Sequence, residues 1–378
     1  MSDSAQTWLQ RIHALDLPDR VRILNVCGGH ERSITQAGLR GALPPQIELI
    51  PGPGCPVCVC PEEDVYEAIQ LALRGDITLV AFGDMLRVPV NAPRHAPRSL
   101  EQAKAAGADV RPIASPVEAR VIAGQLRPRP VVFFAAGFET TTAPVASLFA
   151  EGVPDNLFLL LSGRLTWPVV ALLLDSGEAG FDALVCPGHV ATVMGPEEWR
   201  FVPERYALPA AIAGFTPESL LAAFYSTLRQ VIEGRPFLDN CYGELVRPGG
   251  NRAARAQLEQ VMRVDEANWR GIGHIADSGF ALREAYAAHD ARLHFPTMDD
   301  GTRRRAGEMP PGCDCAQVVL GRIYPDQCRL YGTACAPRHP VGPCMVSDEG
   351  ACRIWWSGGV RERREAVVDV HPQRADAG

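Results

Sequence analysis

The chain has 378 residues, more than one ordinary core accommodates, so two or three domains are expected. Hydrophobic residues make up 47% and charged residues 21%, and 37 basic against 44 acidic side chains leave a net charge of -7. Without clustered positive charge, nucleic acid is excluded as the main ligand, and the longest apolar stretches, VVFFAAG and LFLLLSG, are strand-sized and exclude a membrane span.

The N-terminal MSDSAQTWLQRIHALD lacks a basic region followed by an apolar one and reads as a short amphipathic helix, so the expected location is the cytoplasm. In that reducing compartment 12 cysteines argue for metal or redox chemistry over a disulfide framework. Strand-sized apolar runs then recur, each followed by a turn and a helical pattern. VRILNV (21–26) precedes CGGHERSITQAGLR, IELI (47–50) precedes a cysteine turn and EEDVYEAIQLALRG, and ITLVAFGD (77–84) precedes a loop and SLEQAKAAGA. PVVFFAAGFETT (130–141) leads into TAPVASLFAEG, NLFLLLS precedes a proline-started helix, and FDALVCPGHV leads into ATVMG. This alternation predicts α/β units with largely parallel sheets, and the continuous apolar runs fit strands covered on both faces.

Residues 216–234 read as one long helix, with Pro217 in its first turn and Gly234 and Pro236 ending it. Residues 251–264 form another helix, and WRGIGHIADSGFAL reads as a last strand or loop. From about 300 prolines, glycine and cysteines replace long apolar runs, which predicts a separate small domain; the charged tail from about 361 reads as disordered.

Cys27, Cys55, Cys58, Asp84, Glu139 and His189 all fall just past the carboxyl end of a predicted strand, where open α/β sheets bind ligands. Cys27 and His30 offer a soft thiolate and an imidazole suited to iron, zinc or copper, and Gly28 and Gly29 permit close approach of a ligand. The alternative is a buried cysteine with His30 capping a helix. Cys55 and Cys58 form a CxxC rigidified by Pro53 and Pro56 before a helix start, a setting that lowers thiol pKa and allows disulfide closure. Glu139 and His189 are candidate acid–base groups or ligands, or else helix-start hydrogen-bonding groups beside Thr140 and Thr141. Cys186 reads as core.

Cys313, Cys315, Cys328, Cys335, Cys344 and Cys352 lie within forty residues, in a segment with too few apolar residues to fold unstapled. The gaps of fourteen residues between Cys313 and Cys328, six before Cys335 and sixteen before Cys352 differ from paired zinc knuckles and suit an iron–sulfur cluster, with zinc and disulfides as alternatives.

Taken together, CGGH (27–30), GPGCPVCV (52–59), GFETT (137–141), PGHV (187–190) and CMVSDEGAC (344–352) resemble the HypD family of nickel–iron hydrogenase maturation factors over almost the whole chain. The resemblance implies two Rossmann-like α/β domains around a central cleft plus a small C-terminal iron–sulfur domain. The expected boundaries are 1–120, with the Cys27 iron site and the CxxC; 121–300; and 301–360 for the cluster, followed by a tail at 361–378. It implies a scaffold for assembly of the Fe(CN)2CO group, working with a HypC-type chaperone, receiving cyanide from HypE, and reaching the hydrogenase large-subunit precursor through the chaperone. On that basis Cys27 binds iron, shared with a cysteine of the chaperone, while His30, Glu139 and His189 stay catalytic candidates from the residue reading above. Cys55 and Cys58 are a redox dithiol, Cys313, Cys328, Cys335 and Cys352 hold a 4Fe-4S cluster, and Cys315 and Cys344 are a second thiol pair between cluster and dithiol. Three positions depart from the family pattern: Arg32 replaces a second histidine, Ala191 a serine and Cys60 a threonine. A cluster-dependent thiol–disulfide oxidoreductase acting on partner proteins and a zinc-stapled interaction protein are the alternative functions.

Overall fold

The structure, a computed structural model, describes residues 2–361 apart from 94, 178 and 297–308. The apolar runs form two parallel sheets. The first takes β1 (Val21–Asn25), β2 (Ile47–Pro51), β7 (Ala183–Pro187), β8 (Ala210–Ala213) and β9 (Leu238–Asn240) in the order β2-β1-β7-β8-β9. The second takes β3 (Thr78–Phe82), β4 (Val110–Ile113), β5 (Val131–Gly137) and β6 (Leu157–Gly163) in the order β4-β3-β5-β6. Every pairing in both sheets is parallel, consistent with Rossmann-like units. β5 is buried at all seven positions, as a strand covered on both faces must be.

The sheets do not divide at residue 120. β3 pairs with β5 across that point, joining β4 and β6 into one sheet, and the chain returns to the first sheet only at β7. Strand pairing is non-local, so the expected boundary, drawn along the chain, cuts the second sheet. WRGIGHIADSGFAL is part of an antiparallel hairpin, β10 (Met262–Trp269) and β11 (Gly273–Leu282), with a register irregularity between Asp265 and Ala267.

The long helix Pro217–Glu233 has Thr216 accepting a hydrogen bond from Ser219 N at its start and Gly234 in the left-handed region at its end. It covers the outer face of the first sheet with the amphipathic helix Asp3–His13, in one apolar cluster that includes Ile12, Ile23, Leu220 and Phe224. The C-terminal segment is not a separate core. Val318, Val319, Met345 and Ile354 belong to the same buried cluster as Leu24, Ile50, Val59 and Phe134, because a segment with so few apolar residues lowers its exposed surface by borrowing the sheets' core. The expectations for 301–308 and the tail beyond 361 lie outside the described residues. Among the described residues no helix is long and apolar enough to cross a membrane.

Candidate functional site

The order of the first sheet reverses between β1 and β7, and the open end of such a switch point is where α/β sheets hold ligands. Cys27 lies there, in extended conformation as the N-cap of the helix Gly28–Gln36. The glycines after it admit the protein itself. A Cβ on Gly28 would stand 2.4 Å from the Glu349 carbonyl oxygen, and one on Gly29 would stand 2.7 Å from Phe215 Cε1.

The cysteine turn docks on Cys27 through backbone. Gly28 N donates to Gly54 O at 3.0 Å and Gly52 N to Asn25 O at 2.8 Å. Cys55 opens the short helix Pro56–Val59, and Cys55 and Cys58 are joined as a disulfide, both buried. Cys27, this disulfide, Cys344, Glu349 and Asn25 line a single crevice whose open volume is about 10 Å³, room for roughly one water.

Burial, and then the negative charge of Glu349, push the Cys27 thiol up to about 12, against backbone hydrogen bonds from His30 and Gly29. Glu349 is exposed as a residue, yet its carboxyl is desolvated. Desolvation, and then Asp84, push it up to about 7, with Arg32 opposing. Asp84, on the neighbouring sheet after β3, is raised in the same way, chiefly by desolvation. Arg32 lines a cavity of about 410 Å³ with Asp348 and Arg353.

His30 is fully buried, with Nδ1 3.1 Å from Asn25 Oδ1 and Nε2 2.9 Å from Ala213 O. Both ring nitrogens face oxygens of the protein, and because burial lowers the imidazole to about 3, the neutral ring donates to only one of them. His189 stacks on Phe215 at 3.8 Å between centroids, and His30 meets the same ring at 4.7 Å, so the two histidines share one aromatic contact. Burial lowers the His189 pKa as well.

Glu139 does not join this crevice. Its oxygens accept from Thr166 N and Thr166 Oγ1, both at 2.6 Å, tying the start of its helix to the next one, Thr166–Asp175. Its carboxyl is pushed up to about 7 by burial, and Glu198 is pushed up to about 8 by burial and then by Glu139.

The C-terminal thiols converge. Cys313 Sγ lies 3.3 Å from Cys315 Sγ, and a Cβ on Gly342 would be 2.5 Å from both. Cys344 interacts with Cys315 and Cys352, and its sulfur accepts from Cys352 N at 3.4 Å. Cys335 Sγ accepts from Val341 N at 3.4 Å, and burial pushes its thiol up to about 11. Cys328 feels Cys313 and Cys315, although burial is the larger cause of its raised pKa. Among the described residues no three metal-ligating side chains stand in the arrangement of a bound ion. Cys344 belongs to both places, lining the crevice and contacting the thiol nest. Cys60, on the far side of the CxxC, is buried 3.4 Å from Ser162 Oγ, and Cys186 is fully buried core.

Glu349, Asn25 and Phe215 are the neighbours that the sequence reading passed over. CMVSDEGAC carried a signal for the first, since it places two acids among cysteines, and the polar end of VRILN carried one for the second.

A family model described as the hydrogenase formation hypA family, HypD, matches residues 3–359. The chain is 41% identical over 346 residues, 90% of each chain, to the hydrogenase maturation factor HypD of Rhodobacter capsulatus. It is 38% identical to that of Azotobacter vinelandii over 377 residues, 97% of each chain, and 35% identical to that of Cupriavidus necator over 350 residues, 90% of each.

Proposed function

The chain belongs to the HypD family of hydrogenase maturation factors, and on that footing we propose that it is the cytoplasmic scaffold on which the Fe(CN)2CO group is assembled. The iron is its cargo, held with a HypC-type chaperone and supplied with cyanide by HypE. The observation that carries this reading is the single crevice shared by Cys27, the Cys55–Cys58 disulfide and Cys344.

Iron binding requires the Cys27 thiolate, and the thiol's high pKa means that its proton leaves as the metal arrives. Glu349, with a carboxyl near 7 beside it, is placed to accept that proton. His30, packed between Asn25 Oδ1 and Ala213 O, links the turn to the end of β8. With about 10 Å³ open, the crevice must widen before iron with ligands fits.

Reduction of the Cys55–Cys58 disulfide takes two electrons and two protons and gives two thiols. The all-sulfur donor set of half-buried Cys313 and buried Cys328, Cys335 and Cys352 fits a 4Fe-4S cluster, which would supply single electrons. Cys344 lines the crevice and also interacts with Cys315 and Cys352, which supports Cys315 and Cys344 as intermediaries. The alternative, disulfide exchange with partner proteins, is disfavoured because Cys55 and Cys58 are only 4% and 2% exposed and an attacking thiolate needs access to a sulfur.

The test is infrared spectroscopy of the chain purified with its chaperone under anaerobic conditions. Cyanide and carbonyl stretches are expected in the wild type and absent in Cys27→Ala and Cys27→Ser, with the fold retained. Unchanged bands in Cys27→Ala would refute the assignment.

A further inference from the structure

We infer that Arg270, which lies on the turn between β10 and β11, supplies the counter-charge and hydrogen-bond donors for an anionic, thiol-bound group in the C-terminal cysteine nest; this rests on the reading that the nest holds an iron–sulfur cluster.

Arg270 is 3% exposed. Its Nη2 donates to Glu62 Oε2 and to Pro89 O, both at 2.9 Å. Nε and Nη1 are buried and have no hydrogen-bond partner among the described residues. A guanidinium keeps its charge and its five N–H donors under all ordinary conditions, so it cannot relieve this by losing a proton. Buried donors without acceptors are rare in native proteins because each has lost its water for nothing in return. The orphaned edge therefore points to an acceptor that belongs to the working protein and is not one of the described side chains.

The turn's position says where that acceptor lies. Arg270 N donates to Val59 O at 3.0 Å, within the CxxC helix. Gly271 takes a φ of +71°, and a Cβ there would stand 2.8 Å from Met309 Cγ and 2.9 Å from Ala316 Cβ, so the turn is pressed onto the segment that carries Cys313 and Cys315. The positive charge of Arg270 acts on the thiols of both Cys60 and Cys313. Glu62, itself buried and also accepting from Asn91 N, takes only Nη2, which leaves Nε and Nη1 unsatisfied for a further acceptor. Thiolate sulfurs and a cluster of net negative charge are weak but multiple acceptors, and a fixed cation beside them favours the form with one electron more.

The experiment is a redox titration of the full chain, purified anaerobically and followed by its visible absorption, with dithionite as the electron donor. Uptake of one electron adds one negative charge to the group and makes or breaks no bond. Two variants are compared: Glu62→Gln, and Glu62→Gln with Arg270→Met, which removes both partners and leaves no lone buried charge. The double variant is expected to have the lower reduction potential, with at least a tenfold smaller reduced-to-oxidised ratio at fixed potential, equal to 59 mV for a one-electron couple. Equal potentials with full iron content would overturn the inference and leave the cluster reading standing. A wild type that holds neither iron nor sulfide would overturn both. Arg270→Lys, made alone, keeps a buried cation beside Glu62 and is expected to stay within threefold of the wild-type ratio. If it falls as far as the double variant, packing and not charge is responsible, and the inference fails.

Discussion

Gly54 and Cys27 touch backbone to backbone: a Cβ on Gly54 would stand 2.4 Å from Cys27 Cα and 2.5 Å from Cys27 N. The disulfide loop and the proposed iron-binding cysteine are therefore fixed to each other by the absence of one side chain. Gly54→Ala must push the two turns apart. We expect a loss of about 1–3 kcal/mol, the range for overpacking in a close-packed site, and loss of hydrogenase maturation although no cysteine is altered. Thermal unfolding and a maturation assay check this, and a variant of wild-type stability and activity would refute the contact.

Glu31 bolts the Cys27 helix to the C-terminal helix Ala351–Ser357. Its buried carboxylate accepts from Arg40 Nη2 and from Trp355 Nε1 at 2.7 Å. Glu31→Gln removes the charge that holds Arg40 and should destabilise the protein by about 1–3 kcal/mol. Hydrogen exchange should rise at residues 351–357 before it rises in β1. A uniform rise over the whole chain would show instead that the two helices do not form a separable joint.

Glu139 and Glu198 predict a pH dependence. Both carboxyls stand above the ordinary value of 4.5, near 7 and 8, with burial as the main cause. Between about 4.5 and 8 the folded state therefore binds more protons than the unfolded chain, so their stabilising contribution is complete below 4.5 and is lost as pH rises. Glu198→Gln should leave stability nearly unchanged at pH 5 and raise it by about 1–3 kcal/mol relative to wild type at pH 8. Urea unfolding at the two pH values measures this, and an equal difference at both would sink the idea.

Cys328 and Cys335 test the cofactor. Protein purified without oxygen should be brown, with about four irons and four sulfides per chain. Cys328→Ala or Cys335→Ala should remove the colour and increase proteolysis after residue 309. The first sheet should survive, because its outer face is packed by a separate apolar cluster. A colourless wild type that contains zinc would favour the interaction-protein alternative.

The strands β1, β2, β3, β5, β6 and β7 were legible in the sequence because continuous apolar runs have few ways to hide from water other than at the centre of a covered sheet. The short strands β4, β8 and β9 were not. DVRPI is half polar and AAIA is too small to show a pattern, and such segments become strands only because a longer neighbour offers a hydrogen-bonding edge.

Local chemistry likewise determined that Cys27, Cys55, Cys58 and His189 would stand at strand ends, since a turn must follow each run. Tertiary structure alone decided which of them meet. It brought Cys27, the disulfide, Cys344 and Glu349 into one crevice, and it assigned Glu139 to Thr166 and Glu198 instead. It also set a buried, half-satisfied Arg270 in a turn that touches both the CxxC helix and the segment around Ala316. The sequence separations involved, more than two hundred residues for Arg270 and Glu62, are closed only by the order in which strands pair. That order depends on the burial of whole sheets, which no short motif encodes.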